Sequence, residues 1–541
     1  MTSDYSTEKA LDTDFWADEV AQKVVYNSRN PLVRGAVSPS GIPHIGNFNE
    51  ILRGYFVARA LRDRGLEVEQ VFTNDDRDPL RKIPDKLADL DGEIVELDEG
   101  TKEDLEEYLG MPYVSVPDPF GCCDSWAVHF SSLLEKGAEQ LDIPVNFYST
   151  SELYDSGRLL DATRTVLSDV EKARDIISEF QRTVGENYIP FMPICAECGK
   201  ITATPLSVDP EREVVEYECR DVKLAGKYEI KGCGHRGEAS FTEGKLPWRF
   251  EWPAQWLIFD TGFEPFGKEH AEGSWKSGTV ISREIFNHEP PEHLVYEFFL
   301  VDGAKMSASK GNIYTVDEML EMLEPEVFKY FFSLDPSKQR DFSLEGLEHL
   351  VNEFDRIESI HLGKQEPADE KEKLYAQRVY PMLVSEVRDR VRVPYTFAAM
   401  VGVAKDTDAI TSVLQRSGHL PQDPTEQQVE DALRRVELAR NWARRLDNQY
   451  YVKVLEDPPE IEFDPETREG FEELADFIEE GHSAEEIQSK IFETARERDI
   501  DVGDFFSAGY RLFLGQDSGP KLGPLLAALD RDFVVERLRS A

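Results

Sequence analysis

Residues 33–61 read VRGAVSPSGIPHIGNFNEILRGYFVARAL. Leu32, Val33 and Val37 supply an apolar, partly β-branched run, and Pro39, Ser40, Gly41 and Pro43 break it. Phe48, Ile51, Leu52, Tyr55, Ala58 and Leu61 then recur at helical spacing until Gly65, so the stretch predicts a strand, a tight turn and a helix running to about residue 64. Between strand and helix stand His44, Ile45, Gly46 and Asn47. A helix start offers unpaired N–H groups and the positive end of a dipole, which suits a phosphate. Gly46 lets a ligand approach the backbone closely and His44 adds a donor. On its own this is also an ordinary strand-to-helix turn.

A second stretch, KMSASKGN at 305–312, packs two lysines, two serines and a glycine into eight residues. Most such runs are solvated loops. This one follows Phe298, Phe299, Leu300 and Val301, which predicts a buried strand of an open α/β sheet, whose end is where such sheets bind ligands.

Sixty-one Lys and Arg face 106 Asp and Glu, a net charge of −45. A nucleic-acid binder ordinarily carries the opposite sign. In about 1 M salt, however, the Debye length falls to roughly 3 Å and a distant acidic surface no longer repels a polyanion. The acids are spread along the chain, so we expect adaptation to a salty interior. The composition is globular, 40% hydrophobic. There is no run of 18 apolar residues and the acidic N-terminus has no apolar core, so we expect a cytoplasmic protein with no membrane partner.

A strand over 67–73 should end in the acidic run Asn74 to Asp78, either an Asp-rich turn or the mouth of a site. Residues 127–192 read as mostly helical, an insertion between the halves of a split nucleotide-binding fold. Cys195-Ala-Glu-Cys198, Cys219 and Cys233-Gly-His235 then gather four of the six cysteines. Zinc takes four such ligands in a tetrahedron, so Cys195, Cys198, Cys219 and Cys233 are the expected structural zinc ligands, with His235 as an alternative. The adjacent Cys122 and Cys123 do not readily face one ligand and are expected to pack, with metal binding the lesser alternative. Trp248, Trp252 and Trp256 recur at spacing four, as a core stripe or as the wall of an apolar sleeve. A helix is expected over 277–286, and residues 370–541 read as almost all helix.

HIGN and KMSASK, in that order with His44 and Lys305 261 positions apart, resemble the two signatures of class I aminoacyl-tRNA synthetases. Further stretches resemble the lysine-specific, archaeal-type subgroup: PDPFGCCDS, CAECGK with GCGHRG, WRFEWPAQW, FEPFGKEH and EPPEHLVYEFF. Asn47 stands where His is usual in the class, and Ala308 where Lys or Ser is common. The resemblance implies an α/β fold: a Rossmann-like parallel-sheet catalytic domain with a zinc-ribbon-like insertion, followed by an all-α C-terminal domain. The expected divisions are 1–192, first part of the catalytic domain with a helical insertion; 193–240, the zinc-binding insertion; 241–314, second part with the KMSKS-type loop; 315–370, stem contact; and 371–541, anticodon binding.

It further implies ATP-dependent attachment of lysine to tRNA(Lys) through a lysyl-adenylate, with ATP, Mg²⁺ and tRNA required for activation, by a chain we expect to be monomeric. His44, Asn47, Lys305 and Lys310 are the expected catalytic residues. With Gly46, Met306, Ser307 and Ser309 they are the expected ATP contacts. A lysine side chain needs a carboxylate for its ammonium and an apolar sleeve for its methylenes. Glu50 is the expected carboxylate, although a helix-start Glu is common on dipole grounds alone. Ser38, Asp75, Asp76, Trp248, His270 and Tyr296 complete the expected substrate pocket. The rivals are a class I enzyme for cysteine or glutamate, and a zinc- and tRNA-binding paralogue without catalysis.

Overall fold

The computed structural model describes residues 15–541 except 28, 183, 224–228, 302, 307–312 and 404–406. They form two compact units. One holds what is described up to Asp317, with Lys329–Phe342 and Ala368–Ser385; the other holds Glu318–Phe328, Ser343–Pro367 and Glu386–Ala541.

The first unit is built on five parallel strands: β1 (Val33–Val37), β2 (Gln70–Asn74), β3 (Asn146–Ser149), β4 (Phe263–Gly267) and β5 (Glu292–Tyr296), in the order β5-β4-β1-β2-β3. Val33 pairs with both Gln70 and Phe263, so the chain runs outward from β1 in both directions. The crevice outside the carboxyl ends of β1 and β4 is therefore the topological switch point, the usual ligand position in such sheets. The expected strand–turn–helix is present: β1 leads into α1 (Phe48–Arg62). Twelve of its 15 residues are buried, so it is an internal helix and not an amphipathic surface one. Buried Arg53 caps carbonyls of Phe332 and, at 2.7 Å, Leu334, fastening the Lys329–Phe342 segment to this unit.

Three expectations need correction. The second strand starts at Gln70 and not at 67, because Leu66 to Val68 find no sheet partner. Residues 127–192 are not purely an insertion: helix α2 (Trp126–Gln140) leads into β3, which completes the sheet beside β2. The strand before KMSASK, Phe299–Val301, lies outside the parallel sheet, in a small sheet with Ala304–Lys305 and Arg340–Phe342. Its apolarity comes from packing on Phe331 and Phe332. The main-sheet strand nearby is β5, whose mixed EHLVY sequence hides it.

Between β3 and β4 the chain makes a three-stranded antiparallel ribbon, Thr204–Asp209, Val214–Glu218 and Arg236–Ser240. It then returns through α3 (Trp248–Phe259). The helix expected over 277–286 spans Ser274–Glu284.

The second unit is helical. Its longest helix, Glu426–Leu446, starts with a Thr425–Gln428 capping box. Arg435, fully buried on that helix, pairs with Glu324 at 2.5 Å and Asp355 at 2.9 Å. Trp442 donates to Leu344 O at 2.7 Å.

Candidate active site and metal centres

A cavity of about 530 Å³ opens over the switch point. Its floor comes from the ends of β1, β4 and β5, one side from the HIGN turn and α1, and the other from α3. Ser38, His44, Gly46, Asn47, Glu50, Asp75, Trp248, His270, Tyr296 and Met306 all border it, bringing together residues up to 268 positions apart (38 to 306).

The HIGN turn is internally fixed. His44 N–H donates to Asn47 Oδ1 at 2.9 Å, and Gly46 N–H donates to His44 Nδ1 at 3.1 Å. Nδ1 therefore holds a lone pair, and the proton of the neutral ring sits on Nε2. Burial lowers the His44 pKa to about 4, so at neutral pH it is an uncharged donor. Ile45 N–H donates to Tyr314 O at 2.9 Å, and the methyl of Met306 lies 3.0 Å from where a Cβ on Gly46 would sit. Both flanks of residues 307–312 thus meet this turn. Ser307, Ser309 and Lys310 lie outside the described residues, and Lys305 is described by its backbone alone.

Glu50 projects from the first turn of α1 to the cavity floor. Its Oε2 accepts from Ala36 N–H at 3.0 Å and its Oε1 from Tyr296 O–H at 3.2 Å. Burial pushes its carboxyl up to about 8 against these two bonds. Both partners are neutral, and among the described residues no cation pairs with it. Trp248 and Trp252 stack at 5.2 Å and 14°, and His270 lies against both. Trp248 Nε1 is buried with no hydrogen-bond partner among the described residues.

Of the two aspartates singled out from sequence, Asp75 borders the cavity and Asp76 does not: its Oδ1 accepts from Ser151 N–H at 2.8 Å, away from the opening. Asp78 lines the cavity instead, and Lys245 pairs with it at 2.5 Å and with Glu251 at 2.9 Å. Burial would depress the lysine, but Asp78, Glu251 and Asp75 hold it above its ordinary value. Trp252, which the spacing-four tryptophans offer as a sleeve wall but which is not counted in the expected substrate pocket, borders the cavity, and so does Glu264, which sequence reading does not single out.

The four cysteines of the ribbon come together, their sulfurs within 4.8 Å of one another. Cys195 and Cys233 are 3.6 Å apart, as are Cys198 and Cys219. Thiolates 2.3 Å from one zinc sit about 3.8 Å apart at tetrahedral angles, so the set fits that ion. Each knuckle closes through a glycine in the left-handed region: Gly199 N–H to Cys195 O at 2.8 Å and Gly234 N–H to Cys219 O at 3.0 Å. His235 is not in the set.

A second donor set bears on Cys122 and Cys123, whose expected alternatives are packing and metal binding. Asp118, Cys122, Cys123 and His129 also converge within 4.8 Å. The Asp118 carboxylate accepts from the backbone N–H groups of Phe120, Cys122 and Cys123. This winds the chain so that adjacent side chains turn to one point. Cys122 Sγ lies 3.3 Å from His129 Nδ1. His129 Nε2 lies 2.9 Å from Ala88 O, which can only accept and so orients the ring, while Nδ1 faces the cluster, 3.2 Å from Asp118 Oδ1. Two thiols, an imidazole and a carboxylate are zinc donors. Among the described residues neither set borders the cavity.

A family model described as tRNA synthetases class I (K) matches residues 14–383. A lysine–tRNA ligase of Natronomonas pharaonis is 52% identical over 532 residues, 97% of each chain. One of Haloarcula marismortui is 51% identical over 541 residues, covering 99% of this chain and 98% of its own. One of Pyrococcus horikoshii is 34% identical, covering 97% of this chain and 99% of its own. Among solved structures, a glutamate tRNA ligase of Elizabethkingia meningosepticum matches with a TM-score of 0.44 at 13% identity, covering 94% of this chain and 98% of its own.

Proposed function

The chain belongs to the class I (K) tRNA synthetases, and from that premise we propose that it attaches lysine to tRNA(Lys) through a lysyl-adenylate made from ATP. The observation that carries the choice of amino acid is Glu50, a carboxylate on the cavity floor with only neutral partners. It suits an ammonium group. A glutamate side chain brings no cation to this acid and so would leave its charged form uncompensated, and a cysteine enzyme that grips its substrate through zinc needs the metal donors at the cavity, where neither set lies among the described residues.

In the first half-reaction a lysine carboxylate oxygen attacks the α-phosphorus of ATP, the bond to the bridging oxygen breaks, and pyrophosphate leaves. The protein supplies position and charge stabilisation more than covalent chemistry. Glu50 takes the ε-ammonium with Tyr296 O–H beside it. Trp248, Trp252 and His270 enclose the methylenes, and the unpartnered Trp248 Nε1 is a donor for a substrate oxygen. His44 donates from Nε2 to the phosphate, Asn47 donates from Nδ2, and the start of α1 adds its dipole. Lys305 and Lys310 bring positive charge to the β- and γ-phosphates, and Mg²⁺ shares that charge when bound. In the second half-reaction a ribose hydroxyl of the tRNA terminus attacks the adenylate carbonyl and AMP leaves.

The four ribbon cysteines hold one zinc, and Asp118, Cys122, Cys123 and His129 are suited to another. Both are structural. The helical C-terminal region reads the anticodon. The high acidity suits a salty medium, as in the halophilic sources of the two relatives that are 51–52% identical.

The test is aminoacylation in about 2–3 M KCl, where screening is nearly complete, offering lysine, cysteine or glutamate with ATP, Mg²⁺ and total tRNA. Charging with lysine alone is expected. Charging with another amino acid overturns the pocket assignment, and no charging by folded protein favours a paralogue without catalysis.

A further inference from the structure

Beneath the cavity floor a polar chain crosses the sheet. Glu264, on β4, accepts from Trp252 Nε1 at 2.8 Å and from Arg34 Nη1 at 2.5 Å through Oε1, and from Trp256 Nε1 at 2.6 Å through Oε2. Arg34, on β1, continues through Nη2 to Thr73 Oγ1 at 2.6 Å. Thr73 donates to Gln255 Oε1 at 3.2 Å. Arg34 and Glu264 are 0% and 2% exposed. Among the described ion pairs, Glu264 is the one carboxylate partner of Arg34, whose Nε is buried with no hydrogen-bond partner.

Two buried glutamates therefore border one cavity in opposite electrical states. Glu264 is neutralised by Arg34 and held by two indoles. Glu50, which feels both of those charges, has no cationic partner among the described residues. If Glu264 lost its charge, Arg34 would be an unpaired buried cation beneath the floor, and the buried carboxylates that feel its charge, Glu50 on the cavity floor and Asp75 beside it, would be its compensation. The carboxylate assigned to the substrate would then be consumed by the protein.

We propose that Glu264 is a positioning residue that sets the cation preference of this pocket: it cancels Arg34 and anchors the Trp252 and Trp256 indoles, leaving Glu50 free for a side-chain ammonium. This rests on the lysine reading given above. It assigns Glu264 no contact with the substrate's charge.

The experiment compares the full-length wild type, Glu264→Gln and the double variant Arg34→Met/Glu264→Gln in about 2–3 M KCl. Each is checked for folding by near-UV circular dichroism. The readouts are KM and kcat for lysine, and inhibition by lysine amide, a cationic ligand, against norleucine amide, which lacks the ε-ammonium. In Glu264→Gln the lysine KM is expected to rise at least about 30-fold, the scale of an uncompensated buried charge. Lysine amide should weaken in parallel, while norleucine amide and kcat stay within about threefold. The double variant should recover at least about tenfold in KM, because the stranded charge is gone. If Glu264→Gln fails to fold, the double variant decides: a lysine KM within about tenfold of wild type supports the proposal, and a larger rise overturns it. Equal weakening of cationic and neutral ligands, or an unchanged lysine KM, also overturns it. A wild type that charges another amino acid overturns the lysine reading instead, so the two failures are separable.

Discussion

Gly46 N–H donates to Nδ1 of His44 across 3.1 Å, two residues back in the same turn. The bond fixes both the tautomer and the aim of the ring. An uncharged imidazole that needs no reorganisation is a preorganised donor, and removing one such donor costs about 10²–10³ in rate. His44→Ala should lower kcat by that much with little change in lysine KM. His44→Gln, which keeps an N–H, should lose less. Because the ring stays neutral down to about 4, the pH profile of kcat should show no His44 ionisation between about pH 5 and 8. Single-turnover rates of adenylate formation check all three statements.

The same turn leaves no room for a methyl group. A Cβ on Gly46 would stand 2.8 Å from two ring atoms of His44 and 3.0 Å from the Met306 methyl. Gly46→Ala should therefore displace the ring and lower kcat by about 100-fold, the cost of misplacing a reacting group by roughly 1 Å. Thermal stability should change little. Parallel kinetics and melting curves separate the two effects.

Glu50 makes lysine binding depend on pH. In the empty cavity burial holds its carboxyl up at about 8, so below that pH the ammonium must displace a proton. Lysine affinity should fall by about tenfold per unit as pH drops below about 8, and flatten above it. In stability terms the empty native state binds the proton more tightly than the unfolded chain. Stability from this group is thus complete below about 4.5 and lost as pH rises toward about 8. Added lysine offsets that loss, so its thermal shift should grow with pH over this window. Glu50→Gln should abolish the pH dependence and weaken lysine by about 30-fold or more. Calorimetric titration in buffers of different ionisation enthalpy would also register the released proton.

Two donor sets predict two zinc ions per chain. Native mass spectrometry or elemental analysis should find two in the wild type, one in Cys122→Ser and one in Cys198→Ser. Loss of the ribbon ion should unfold the segment around Cys195–Ser240, because small metal-closed modules draw much of their stability from the metal. Increased proteolysis within that segment would report it.

A net charge of −45 should make the fold depend on salt. In dilute buffer, with a Debye length near 30 Å at about 0.01 M, the acids repel across the whole surface. We expect the melting temperature to fall steadily as KCl is lowered below about 1 M, and helical circular dichroism to decline. A melting curve unchanged between dilute buffer and multimolar KCl would show that the acids do not oppose folding.

Some of this was legible in the one-dimensional sequence and some was not, for physical reasons. The strand, turn and helix of residues 33–62 follow from local periodicity and from proline and glycine, so the sequence alone determined them. The ribbon cysteines were readable because their knuckles are local, with Cys195 and Cys198 three apart and glycines beside the turns. The HIGN and KMSASK stretches could be paired by order, and their flanks do meet at Ile45 and Tyr314.

Tertiary structure decided what depends on direction and long-range partners. Asp75, Asp76 and Asp78 look equivalent in sequence, yet the turn after β2 sends Asp76 to Ser151 and leaves Asp75 and Asp78 at the cavity. Cys122 and Cys123 read as divergent neighbours, because adjacent side chains point apart in an extended chain. Three N–H groups wrapped on Asp118 turn them to one point. Glu264 lies in the FEPFGKEH stretch, but nothing local in the sequence shows its role, which comes from Arg34, 230 positions earlier, and from two indoles one helix away. Periodicity records which face of an element is buried, but the electrical state of a buried carboxylate is set by whichever charge the fold brings beside it.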